Sequence, residues 1–253
     1  MGAPLYVIGL GPGDAGLLAG LAVRALESAQ TIVGYALYVE MVPPALLAGK
    51  HIVTTGMRHE AQRCNAAIDA ALAGSPTAVV CSGDAGVYGM SGLILELLGQ
   101  RGLVDAVPVE VIPGIPAVCA AAALLGAPLM HDFACVSLSD LLTPWDAIVR
   151  RLEAALAADF VLALYNPRSR GRQEQLETAL ALALRHRPPQ TPVGLVRNAY
   201  REGQQVRICP LEALRPADVD MLSLLIIGNA STRFLGKYMV TPRGYDVRRV
   251  CAE

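Results

Sequence analysis

Apolar runs of four or five residues, rich in β-branched side chains, recur at 5–9, 31–34, 51–54, 77–81 and 109–112. Each is short, continuous and bounded by turn formers, which reads as a strand. Between several of them the apolar positions return with helical spacing, over 17–29, 60–73 and 89–98. That alternation predicts a mostly parallel sheet covered by helices. A proline-punctuated stretch, 113–128, closes the first series. A second follows at 134–138, 160–165, 193–196, 206–209 and 222–227, with helices predicted at 144–157, where Pro144 suits a first helical position, and at 172–187. The expectation is an α/β chain of two lobes, 1–127 and 128–253, each a mostly parallel sheet flanked by helices, with a ligand cleft between the lobes fed by loops at strand ends.

Charge and composition then remove several function classes. The 253 residues carry 21 basic and 22 acidic side chains, a formal net charge of -1, so no global positive field draws the chain to nucleic acid or anionic lipid. With 53% hydrophobic residues and a mean hydropathy of +0.42 a membrane span has to be tested. The longest uncharged stretch, 111–130, holds Pro113, Pro116 and Pro128, which points to a buried turn and helix. The N-terminus lacks the order of a signal peptide, and a cytoplasmic location is expected. Six scattered cysteines without a C-x-x-C pair indicate neither a metal site nor a disulfide frame.

Three glycine-rich turns carry the candidate chemistry. The first, "VIGLGPGDAGLL" at 7–18, supplies Gly9, Gly11 and Gly13. Pro12 removes an amide donor there, and Asp14 stands where a dinucleotide fingerprint wants its third glycine. A carboxylate at that place repels phosphate. The second, "CSGDAGVYGM" at 81–90, offers Asp84 and Tyr88 as polar contacts after a strand, or else is a turn whose aspartate caps a helix. The third, "VIPGIPAVCAA" at 111–121, ends a strand in Pro113 and Gly114 before a row of small residues, which suits a flat ligand or close helix-to-sheet packing. None of the three has a P-loop lysine, and together they fit a neutral or cationic adenosyl ligand such as S-adenosylmethionine, held mainly by backbone groups.

"GLGPGD" at 9–14, "SGDAGVYGM" at 82–90, "VIPGIPA" at 111–117 and "LYNPRSRGR" at 164–172 follow one another in the order seen in the tetrapyrrole methylases of corrin biosynthesis, which the chain resembles over 5–245. "GYALYVEMV" from Gly34, "GMRHEAQRC" from Gly56 and "SLSDLLTPW" from Ser137 narrow the resemblance to members that methylate C-17 of precorrin-3B with ring contraction to precorrin-4 in cobalamin biosynthesis. The alternatives are the cobalt-containing anaerobic counterpart and same-fold enzymes acting on rRNA or protein residues. The resemblance implies a two-domain methyltransferase, usually a homodimer, with S-adenosylmethionine in the interdomain cleft. It implies donor contacts from Pro12, Ser82, Gly83, Asp84, Tyr88, Pro116, Ala117, Tyr165, Asn166, Asn198 and Ala199. Relatives commonly carry an acidic residue and a glycine where this chain has Arg197 and Ala199.

Methyl transfer from a sulfonium needs little acid or base, whereas ring contraction needs proton transfers, for which His59, Glu60, Tyr88 and His131 are candidates. His131 also fits a hydrogen-bonded structural residue. A macrocycle ringed by carboxylates calls for arginines, and Arg58, Arg63, Arg168, Arg170 and Arg172 are the candidates, with a solvated helix start as the alternative for the last three. A nicotinamide oxidoreductase would need an acidic ribose ligand after the second strand, which ends in Gly34 and Tyr35. An RNA enzyme should show a basic face, and a non-catalytic carrier would bind without turnover.

Overall fold

The computed structural model describes residues 2–169 and 171–246, and Arg170, one of the candidate arginines, lies outside them. The chain divides into two compact units, the first ending at Ala117 and the second starting at Val118.

Unit 1 is a five-stranded parallel sheet. Along the chain come β1 (Leu5–Gly9), α1 (Gly20–Ser28), β2 (Thr31–Tyr35), the short α2 (Ala36–Val39) and α3 (Pro44–Leu47), β3 (His51–Thr55), α4 (Glu60–Leu72), β4 (Thr77–Cys81), α5 (Ser91–Gln100) and β5 (Val109–Ile112). In space the strands run β3-β2-β4-β1-β5, all parallel. Successive side chains enter opposite cores. Val7, Val33 and Val79 join Cys64, Ile68, Ile94 and Leu98 of α4 and α5 on one face. Ile8, Ile32, Ala78 and Val80 join Ala22, Ala25 and Leu26 of α1 on the other. A sheet buried on both faces needs continuous apolar strands, which is why these read as unbroken runs. The expected helix over 17–29 begins later, because Asp14 accepts a hydrogen bond from Gly16 N–H and caps a separate 3-10 turn, Ala15–Leu17.

Unit 2 departs from the expected mostly parallel sheet. Its elements are the remainder of α6 (Ala117–Leu125), β6 (Gly126–Ala127), β7 (Phe133–Ser137), α7 (Trp145–Ala157), β8 (Val161–Tyr165), α8 (Glu174–His186), β9 (Pro192–Arg197), β10 (Gln205–Pro210), β11 (Ser223–Ile227), β12 (Arg233–Leu235) and β13 (Tyr238–Val240). The main sheet is ordered β10-β9-β11-β8-β7. Only β7 and β8 pair in parallel, and the other three pairings are antiparallel. The connections explain this. A parallel neighbour needs a crossover of a dozen or more residues, usually helical, and beyond α8 only the 198–204 turn and two 3-10 turns remain to join β9, β10 and β11.

Helices α7 and α8 close one face of this sheet, with Ile148, Leu152, Leu176 and Ala183 against Leu162, Leu164, Leu195 and Leu225. On the other face Leu125 of α6 occupies the space a side chain at Gly194 would take. Pro144 is the N-cap of α7, one place before the expected first helical position. The edge remote from the β8 C-terminus is stapled by Arg187, which is 5% exposed. Its guanidinium donates to the carbonyls of Leu156 (2.9 Å), Phe160 (3.2 Å) and Gly228 (3.3 Å) and pairs with Asp159 Oδ1 at 3.2 Å. Among the described residues no helix is long and apolar enough to cross a membrane.

Candidate active site

In unit 1 the chain leaves β1 toward α1 on one face and β4 toward α5 on the other. The crevice outside the carboxyl ends of adjacent strands that part in this way is where open α/β sheets bind ligands. The three glycine-rich turns all lie at that end. Gly11 and Gly83 exchange both backbone hydrogen bonds, at 2.9 and 2.8 Å, and Leu10 N–H donates to Cys81 O at 2.8 Å. Gly11 and Gly83 have φ of +71° and +69°, conformations open to glycine at no steric cost. A Cβ on Gly9 would stand 2.6 Å from Gly114 N and 2.7 Å from Gly83 O. The three bends therefore touch main chain to main chain.

Asp84 ties them together. Its Oδ1 accepts from Gly86 N–H at 2.8 Å and Val87 N–H at 3.0 Å, and its Oδ2 accepts from Gly114 N–H at 3.0 Å. Asp84 is thus a bracket between the second and third bends and not the cap of α5, whose N-cap is Met90. Pro12 and Gly83 are buried, Ser82, Pro116 and Ala117 are half-buried, and Tyr88 is 53% exposed. Tyr88 has φ +54°, and a Cβ at Gly89 behind it would collide with Ala85 O.

The residues after β3 reach the same edge of the sheet. Arg58, φ +65°, and His59 are exposed, and Glu60 opens α4. His59 Nδ1 lies 3.0 Å from Gln62 Oε1. Arg63 does not join them as a ligand. It is 3% exposed, donates to Thr55 Oγ1 at 2.9 Å and Gly56 O at 3.0 Å, and lies 5.9 Å over the Tyr35 ring.

Unit 2 gathers its candidates at one edge of its sheet. Register pairs Leu225 with both Leu164 and Leu195, so Asn166 and Asn198 emerge at the same level on either side of the start of β11. Both are left-handed, with φ +48° and +50°. Tyr165 Oη accepts from Val118 N–H at 3.0 Å, and Asn166 Nδ2 donates to Ser137 Oγ at 3.0 Å. Asn198 Nδ2 donates to Glu202 O at 3.3 Å, and Ala199 is half-buried beside it. Arg197 Nε pairs with Asp220 Oδ2 at 2.7 Å. Burial pushes the Asp220 carboxyl up, but Arg197, Ser223 and the Leu222 N–H together bring it below its ordinary value.

Arg168 donates to Pro216 O (3.0 Å) and Gln173 Oε1 (3.1 Å) and borders a groove of about 440 Å³ with Asp220 and Met221. Arg172 is buried, 7% exposed, and desolvation lowers its pKa against the raising charge of Asp140. His131 lies elsewhere. It precedes Phe133 at the opposite end of the β7–β8 pair from Ser137 and Tyr165, and its Nδ1 accepts from Asp132 N–H at 2.9 Å. Ser137, Ser139 and Asp220 are site-edge residues that sequence reasoning did not single out. Only the first two lay within a quoted motif, and nothing local marked the third.

The two buried thiols of unit 1, Cys64 and Cys81, are not poised as nucleophiles. Burial pushes Cys64 up to about 12 and Cys81, the last residue of β4, up to about 11. From 10 to 18, 82 to 90 and 112 to 117 the bends hold no lysine or arginine, and their acidic oxygens on Asp14 and Asp84 face their own backbone N–H groups. Bends without cations of their own suit a sulfonium nucleoside and do not suit a pyrophosphate.

The family model described as Tetrapyrrole (Corrin/Porphyrin) Methylases matches residues 4–215. A probable cobalt-factor III C(17)-methyltransferase of Salmonella typhimurium is 48% identical over 243 residues, covering 96% of this chain and all of that one. A cobalt-factor III methyltransferase of Priestia megaterium is 46% identical over 97% of this chain, which spans 46% of that longer protein. The crystal structure of the methyltransferase CobJ superposes with a TM-score of 0.91 at 35% identity, covering 95% of this chain and 100% of that one. A uroporphyrin-III C-methyltransferase of Thermus thermophilus, solved with S-adenosylhomocysteine, gives 0.68 at 25% identity over 89% and 97% of the two chains. The chain belongs to the tetrapyrrole (corrin/porphyrin) methylase family.

Proposed function

We propose that the chain is an S-adenosylmethionine-dependent methyltransferase that methylates C-17 of a corrinoid precursor, with ring contraction, in cobalamin biosynthesis. The observation that carries this reading is the cation-free knot of three bends at the point where β1 and β4 part. The Salmonella and Priestia relatives, cobalt-factor III methyltransferases by name, support cobalt-factor III as the acceptor. Metal-free precorrin-3B, suggested by the sequence resemblance, is the second reading.

S-adenosylmethionine supplies, when bound, a methyl group on a sulfonium whose thioether leaves readily. The chain's task is then orientation, which can remove several kcal/mol of barrier as lost translational and rotational freedom. In this reading Pro12, Ser82, Gly83, Pro116 and Ala117 hold the donor in unit 1, with Asp84 fixing the bends. Tyr165, Asn166, Asn198 and Ala199 add the share of unit 2. Arg58, Arg168 and Arg170 hold carboxylates of the acceptor through charge-assisted hydrogen bonds. His59, Glu60 and Tyr88 exchange protons with the acceptor during contraction, and the placement of His131 removes it from that set. The working assembly is a homodimer in the cytoplasm.

The test is to incubate the purified protein with donor and either cobalt-factor III or precorrin-3B and to follow the macrocycle by mass spectrometry. A gain of one methyl group on the cobalt form, faster than on the metal-free form, is expected. Methylation of neither, with S-adenosylhomocysteine still bound, would leave a carrier.

A further inference from the structure

We infer that Arg172 is a positioning residue for donor binding, acting by clamping Asn166 in its left-handed conformation, and does not touch the acceptor. This rests on the proposed methyltransferase reading. Arg172 is buried, with 7% of its surface exposed, so no carboxylate of a large macrocycle reaches it. Its Nη1 donates to Ser139 Oγ at 3.1 Å, and its Nη2 donates to Asn166 O at 2.9 Å and contacts Met221 Sδ at 3.6 Å. These three partners sit on three separate segments, after β7, after β8 and before β11, all at the edge that carries Asn166 and Asn198.

Its Nε is the one buried side-chain nitrogen or oxygen without a hydrogen-bond partner among the described residues. An orphaned buried donor carries its desolvation penalty uncompensated. A position selected for stability alone would relieve that cost with an apolar side chain. What only arginine supplies is a planar fork able to hold two loops at a fixed separation.

The consequence falls on Asn166. Its carbonyl is held by Arg172 and its side-chain amide by Ser137 Oγ, so a residue at φ +48° is gripped from both sides. Asparagine enters that region more readily than most residues but still needs its surroundings to keep it there. Releasing the carbonyl frees the backbone next to Tyr165, whose hydroxyl accepts from Val118 N–H directly after the third bend.

Calorimetric titration with S-adenosylhomocysteine separates the possibilities, using wild type, Arg172→Lys, Asn166→Gly and the double variant, with folding checked by circular dichroism. Arg172→Lys is expected to weaken binding about tenfold, which is about 1.4 kcal/mol. Asn166→Gly, which keeps the carbonyl but gives up the side-chain bond to Ser137, should weaken it comparably, and the double variant should be within about twofold of the weaker single, since both changes loosen the hold on the same residue. A purely structural role would lower the melting temperature without that coupling. Wild-type affinity in folded Arg172→Lys, or losses that multiply in the double variant, would overturn the inference while leaving the methyltransferase reading intact. Failure of the wild type to bind S-adenosylhomocysteine would overturn both. Should Arg172→Lys not fold, Ser139→Ala removes one acceptor of the fork with the arginine in place. A loss of about twofold or more supports the clamp, and unchanged affinity overturns it.

Discussion

The two units solve the same problem, a rigid edge at the ends of strands, with opposite materials. Unit 1 builds its edge from main chain, with reciprocal bonds between Gly11 and Gly83, close contact of Gly9 with Gly114, and one carboxylate as a bracket. Unit 2 builds its edge from long side chains, in which Arg168, Arg172 and Arg197 reach across loops to carbonyls, hydroxyls and Asp220. The difference follows from topology. A parallel sheet delivers successive turns to one end and lets them meet directly. A mixed sheet brings strand ends and strand starts to the same end, and the gaps between them need spanning.

If that contrast is right, the harshest way to break unit 1 is a single methyl group. Gly114→Ala sets a carbon against the carbonyls of Gly83 and Gly9, neither of which can swing aside, and about 3 kcal/mol or more of stability should be lost in a urea melt. Arg187→Met probes the far edge of unit 2. It leaves the carbonyls of Leu156, Phe160 and Gly228 without their donor, while Asp159, 46% exposed, is rehydrated. A loss of about 2–3 kcal/mol is expected in the same melt, with S-adenosylhomocysteine affinity retained in the folded fraction.

Asp84→Asn should cost less, about 1–2 kcal/mol, because an amide nitrogen cannot accept and either Gly114 or the Gly86–Val87 pair loses its partner. If the bracket is what matters, donor affinity falls with stability. Unchanged values of both would reduce Asp84 to an ordinary turn residue. Acid gives the mildest test. Asp218, hydrogen-bonded by Arg215 and Arg207, and Asp220 both titrate below the ordinary aspartate range. Their contribution is complete above that range and disappears as pH falls through the depressed values. The gap in melting temperature between wild type and Asp218→Asn/Asp220→Asn should therefore be full above about pH 5 and close as pH falls below the ordinary aspartate value of about 3.9.

The legibility of the chain divides along the same line. β1 and β4 stand where unbroken apolar runs placed them, because burial on both faces leaves a continuous signature. The turns after them were readable as glycine-rich bends, since backbone contact leaves no residue but glycine. In unit 2 the five strands of the main sheet were found within a residue of their ends, yet the small β12-β13-β6 sheet was missed and strand direction was misread. Only the missing helical pattern between 198 and 222 could have signalled it. Arg63 and Arg172 looked like surface cations because an arginine's letter says nothing of depth. Thr55 is eight residues from Arg63, and Met221 forty-nine from Arg172. His131 looked like a candidate because linear sequence does not tell one end of a sheet from the other.

The Gly11–Gly83 exchange has a practical corollary for anyone wishing to retune which pigment the protein accepts. A seat made of peptide groups is blind to what its outward side chains are, so randomised libraries at Val87, Tyr88 and Arg58 should yield mostly folded clones. Libraries that touch Gly9, Gly83 or Gly114 should yield almost none, and the ratio of soluble clones between the two would read out how much of this edge is spine and how much is ornament.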